Sequence, residues 1–135
     1  MTKEIGAPQM RNNLQASLQS LLNKNWKIEY DIYFEYLLDS VYHTLYDTHD
    51  LDEKERSLDQ VGKVFYDEAE AMAVHEFSAW FHELKENIEA IERRETPNET
   101  YFNHPDWPKV LKWAESVVKI MEDNNKKYNF YDNMV

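Results

Sequence analysis

The stretch NWKIEYDIYFEYLLD, residues 25–39, carries two patterns at once. Over its first half Trp26, Ile28, Tyr30, Ile32 and Phe34 alternate with Lys27, Glu29 and Asp31. Apolar residues at every second position suit a half-buried strand, whose side chains point to opposite faces in turn. From Tyr30 onward, Phe34, Leu37, Leu38, Val41, Tyr42 and Leu45 fall on one helical stripe, with Tyr33 at its edge and Tyr36, Asp39 and His43 pointing away. The helical pattern absorbs most of the alternating run. A strand would also need partners, and the only other strand-like pieces are residues 100–102 and 128–131. A short isolated ribbon is marginal in water. The spacing therefore predicts a helix over residues 28–47, entered by Trp26 and Ile28, and an all-α chain.

The flanking segments extend this reading. Residues 1–8 read as a loose tail closed by Pro8. Residues 9–23 read as a helix with Met10, Leu14, Leu18, Leu21 and Leu22 on one face, and with Asn23 and Asn25 as stop signals. Residues 48–57, THDLDEKERS, have no apolar period and read as a loop that can hold one helical turn. SLDQ at 57–60 has the capping-box form, in which the Ser57 hydroxyl and the Gln60 side chain satisfy free backbone amides. Beyond it Leu58, Val61, Phe65, Ala69, Ala73, Phe77, Trp80, Leu84, Ile88 and Ile91 keep helical spacing. Two readings stand side by side: one helix over residues 57–93, or a break near Tyr66 and Asp67, where Asp67 and Glu70 form a second N-terminal signature. ETPNE at 95–99 is a turn. YFNHPDWP at 101–108 is an aromatic loop in which Pro105 or Pro108 suits a first helical turn. Trp107, Val110, Leu111, Ala114, Val117, Val118 and Met121 form the face of a last helix ended by Asn124 and Asn125. The tail 126–135, with Tyr128, Phe130 and Tyr131, packs back. Together these segments predict one domain, an antiparallel bundle of four to five helices.

Composition agrees. A chain of 135 residues with 42% apolar and 14% aromatic residues can bury a core. Its two glycines and four prolines leave room for long helices. The absence of cysteine excludes disulfides and thiolate metal sites. The N-terminal stretch MTKEIGAPQMRNN has no apolar core of the signal-peptide type, and no apolar run reaches bilayer length. A cytoplasmic protein without a membrane partner is expected.

The net charge of −11 is unevenly placed. Residues 31–100 carry nineteen acidic and six basic groups, whereas residues 101–135 carry five of each. Such a field repels nucleic acid and anionic lipid and attracts basic proteins.

Chemical motifs are scarce. His75 and His82 stand two turns apart on one flank, but a zincin motif needs a second histidine four residues after the first, and position 79 is Ala. No histidine has an acidic residue three positions before it, which removes the ferritin-like pattern. Both histidines read as surface residues. No Gly-x-Ser-x-Gly or phosphate-cradling loop is present. Asp50, Asp52, Glu53 and Glu55 lack the glycine and distal glutamate of a calcium loop. No metal, cofactor or catalytic activity is therefore expected. Glu70 stands apart because it falls inside an apolar stripe, beside Tyr66, Ala73, Val74 and Phe77. A carboxylate there must be paired or protonated. It is a core glutamate held by a tyrosine hydroxyl, lysine or arginine, or it sits at a groove edge, or it belongs to an acid–base or small-ligand site in a pocket lined by Tyr66, Phe77 and Trp80.

Acidic and aromatic surface is the strongest functional signal. Tyr36, Asp39, Tyr46, Glu76, Glu83, Glu86, Glu89 and Trp113 fall on or beside the polar faces of their helices and make up a candidate partner-binding surface. The expected function is a non-catalytic acidic module, most concretely an immunity or inhibitor protein that masks a basic surface such as the groove of a nuclease. A DNA mimic, with acids at phosphate-like spacing on one face, and a homodimeric regulatory protein are the alternatives.

Overall fold

Helices form wherever the described chain is regular. The computed structural model describes residues 3–22, 50–91 and 104–133, and for 88–91 and 132–133 the backbone alone. The helices are α1 (Pro8–Ser20), α2 (Lys54–Asp59), α3 (Glu68–Ile91), α4 (Trp107–Lys127) and α5 (Phe130–Asn133). The chain is an all-α helical bundle, with no strand among the described residues. Residues 25–39 and the helix expected over 28–47, together with Tyr36, Asp39 and Tyr46, lie outside the described residues, as does the turn expected at 95–99.

The apolar stripes meet as their spacing requires. Leu14, Leu18 and Leu21 from the first segment, Val74, Phe77, Phe81 and Leu84 of α3, and Val110, Ala114, Val117, Val118 and Met121 of α4 form one buried cluster. Apart from Ala114, each such side chain, fully buried, contributes about 1.5–3 kcal/mol. Helix α4 is the hub, packed against α1, α3 and α5, while α2 packs on α3.

Helix ends account for most departures from the sequence reading. The segment after residue 57 is broken, as the second reading held, and the break spans residues 60–67. Asp67 caps α3, its Oδ1 accepting from the Glu70 backbone N–H at 2.8 Å. The capping box expected at 57–60 does not form. Ser57 lies inside α2, and its hydroxyl donates to the Ala71 carbonyl at 2.7 Å, tying α2 to α3. Pro8 opens α1 and Pro108 falls in the first turn of α4, where neither residue owes a helical hydrogen bond. Asn124 and Asn125 do not end α4, which runs on to Lys127 because their side chains have other work.

The tail expected to be loose is docked from Lys3 onward. The backbone N–H groups of Gly6 and Ala7 donate to the carbonyls of Gly62 and Lys63 at 2.9 and 2.8 Å. Ile5 is buried with Tyr66 and Phe130, and Tyr128 packs beside them. The C-terminal tail does pack back through Phe130, whereas Tyr131 remains 66% exposed.

Candidate functional site

Two places concentrate polar chemistry. The first is internal. Arg11, Gln15, Glu70 and Asn125 are all buried, and they find one another. Arg11 forks onto Glu70: Nη1 donates to Oε1, and Nη2 donates to Oε2 at 3.0 Å. Its remaining N–H groups reach the Asn125 Oδ1 at 2.8 Å and the Val64 and Met121 carbonyls at 3.0 Å each. All five guanidinium donors are thereby used. Glu70 is equally occupied. Besides the arginine, Oε1 accepts from the Tyr66 N–H at 3.2 Å and Oε2 from Asn124 Nδ2 at 2.8 Å. Asn125 Nδ2 in turn donates to Gln15 Oε1 at 2.8 Å.

This cluster joins α1, the 60–67 turn, α3 and α4. It is held by arginine, one of the partners that burial of Glu70 required. Of the residues expected around a Glu70 pocket, Tyr66 belongs to this cluster, whereas Phe77 and Trp80 are engaged elsewhere. Tyr66 stacks on Tyr128 and beneath the Arg11 guanidinium, Phe77 stacks on Phe81, and Trp80 packs on Trp113. Sequence reasoning missed Arg11, Gln15 and Asn125, although each stands on the apolar stripe of its helix.

The second place is the outer flank of α3. Glu76, Glu83 and Glu86 are exposed there. Glu89 continues the helix, but its side chain lies outside the described residues. Between the first two acids sits Trp80, half-buried, four residues after Glu76 and three before Glu83. Residues three or four apart are neighbours on a helix surface, so the indole is flanked by a carboxylate on either side. Trp113, expected at an exposed edge, is half-buried instead. Its ring lies 5.3 Å from Trp80 and 6.2 Å from Phe77, centroid to centroid, so the core fixes the pair. Among the described residues neither Glu76 nor Glu83 forms an ion pair, while Glu86 meets His82 Nε2 at 3.0 Å. His75 and His82 are half-buried rather than on the surface, and His75 Nδ1 lies 3.1 Å from the Leu51 carbonyl oxygen. No group of three or more potential metal ligands gathers among the described residues, and no described helix is long and apolar enough to cross a membrane.

Elsewhere on the surface, α4 presents charges of both signs. A groove of about 540 Å³ is lined by Leu22 and Val118 and by charges of both signs from α4, some of which are partnered within the chain. Gln19 donates to Glu122 at 3.1 Å, and Lys119 pairs with Asp123 at 3.2 Å.

A family described as "Domain of unknown function (DUF7945)" matches residues 5–128. The chain belongs to that family. The matched span contains both the Arg11–Glu70 cluster and the Glu76–Trp80–Glu83 flank. No curated protein and no solved structure matches the chain.

Proposed function

We propose that the protein is a cytoplasmic, non-catalytic acidic module that binds a basic protein through the outer flank of α3, and that it acts as an immunity or inhibitor protein masking a cationic surface such as a nuclease groove. One observation carries the reading: Glu76 and Glu83 are exposed, form no ion pair among the described residues, and flank a half-exposed tryptophan seated on the core. Unpaired exposed acids are ordinary, and the tryptophan seated between these two sets them apart. This arrangement offers a partner steering charge at long range and an anchor at contact. The buried arginine–glutamate cluster supports it indirectly, since it holds α3 against α1 and α4 and keeps the flank rigid.

The test couples capture to kinetics. Tagged protein is used to capture partners from its native cells, with washes at low and then high salt. The retained protein is then purified and its association rate measured against wild type and a Glu76→Gln, Glu83→Gln, Glu86→Gln, Glu89→Gln variant. The expected partner is basic, is released as salt rises, and associates at least several-fold more slowly with the variant. An unchanged rate and salt dependence would refute the reading.

A further inference from the structure

The tryptophan between the two acids already carries a cation. Lys109 Nζ, from the first turn of α4, stands 5.5 Å from the centroid of the Trp80 ring. Lys109 is exposed and has no carboxylate partner among the described residues, where its ammonium meets the π-face of Trp80. Trp113, one helical turn after Lys109, holds the same indole from α4. Two side chains of α4 thus grip Trp80, one by packing and one by charge.

We propose that Trp80 is the specificity-determining residue of the acidic flank, that it receives an arginine guanidinium from the basic partner, and that Lys109 occupies the ring in the free protein until that guanidinium displaces it. The inference rests on the reading of α3 as the partner face. Indole is the best aromatic acceptor for a cation. A guanidinium is planar and more weakly hydrated than an ammonium, so it can stack on the ring while its edge N–H groups reach carboxylates beside it. Glu76 and Glu83 stand one turn to either side of Trp80 on α3, at the spacing of neighbouring positions on a helix surface. An ammonium presents no such plane, which makes the internal lysine the weaker occupant of a site better suited to arginine. Because Trp113, itself packed edge-on against Phe77, holds the indole in place, the exchange asks only that an exposed lysine swing back into water.

The probes are hexa-arginine and hexa-lysine peptides, titrated at low ionic strength into the full chain by calorimetry and tryptophan fluorescence. Wild type is expected to bind hexa-arginine several-fold more tightly than hexa-lysine. Lys109→Gln should tighten hexa-arginine binding several-fold more than Lys112→Gln, which removes the same charge from another exposed position of α4. Trp80→Phe, checked for folding by circular dichroism, should erase most of the arginine preference. Equal effects of the two lysine variants, or equal affinity for the two peptides, would overturn the inference while leaving the acidic flank intact, provided Glu76→Gln/Glu83→Gln weakens both peptides. If that double variant changes neither peptide, the flank itself is not the binding face and both proposals fall together.

Discussion

Tyr66 is a residue whose burial is incompletely compensated among the described residues. It is fully buried, and its hydroxyl has no hydrogen-bond partner among the described residues. Burial raises its pKa above the ordinary value of about 10, with Arg11 opposing the shift and Glu70 adding to it. The folded state therefore holds the phenol proton more tightly than the unfolded chain does. The stabilisation linked to this group is complete below about pH 10 and is lost as pH climbs through the folded value. Two outcomes follow for Tyr66→Phe. Denaturant unfolding at neutral pH should show a gain of roughly 1 kcal/mol, because an unsatisfied buried hydroxyl is removed while the ring still stacks on Tyr128 and Arg11. The alkaline limb of stability should also flatten in the variant. A loss of stability at neutral pH would mean that the hydroxyl has a partner after all. Its neighbour behaves in the opposite way. Glu70→Gln leaves the Arg11 charge buried without a counter-charge and should cost about 3–5 kcal/mol. Replacing both members together, Arg11→Met with Glu70→Leu, should cost much less than the sum of the single changes. Additive losses in that cycle would show that the two residues act independently.

At the scale of elements, the sequence was most legible where side chains repeat and least where the backbone ends or turns. The stripe from Trp107 to Met121 became α4 with its face inward, because a three-to-four spacing has one helical reading. The same stripes carried the information about the internal cluster. Arg11 precedes Leu14 and Leu18 at i+3 and i+7, and Asn125 follows Met121 and Val118 at the same kind of interval. Asparagine is a weak helix former, so Asn124 and Asn125 read as a terminus. They stay helical because their amides bond across to Glu70, Arg11 and Gln15, and no local rule announces such a partner. Ser57 misled for a similar reason: its hydroxyl is used between helices rather than at the start of one. The candidate flank was half legible. The exposed acids of α3 follow from its wheel, but the seating of Trp113 on Trp80 depends on how α3 and α4 cross. The break before α3 turns on Gly62, which adopts φ +88° and whose carbonyl accepts from the Gly6 N–H. A Cβ at this position would meet nothing within 4 Å, so any cost of Gly62→Ala comes from the backbone conformation alone. Thermal unfolding should register a loss of about 1–2 kcal/mol. A larger loss would show that the docking of the N-terminal tail on Gly62 and Lys63, and not the turn alone, is disturbed.

Across the whole molecule the distribution of charge sets stability against encounter. The helices differ in kind. Along its exposed positions α4 mixes Lys109, Lys112, Lys119, Lys126 and Lys127 with Glu115, Glu122 and Asp123, whereas α3 exposes Glu68, Glu76, Glu83 and Glu86. With a net charge of −11, the acids of α3 repel one another and the rest of the chain, and the folded state bears that repulsion more than the expanded one. A face kept for stability alone would relieve it with lysines, as α4 does. A face kept for association would retain it, since the same uncompensated field speeds approach of a basic surface. The two explanations part in one variant. Glu76→Gln/Glu83→Gln should melt at a higher temperature than wild type in low salt, and the gap should close as salt screens both proteins. The variant should at the same time associate more slowly with the basic partner. A more stable protein that binds more slowly identifies acids retained against the interest of the fold. If melting is unchanged at every salt concentration, Glu76 and Glu83 exert no strain, and their lack of internal cations ceases to be an argument for a partner.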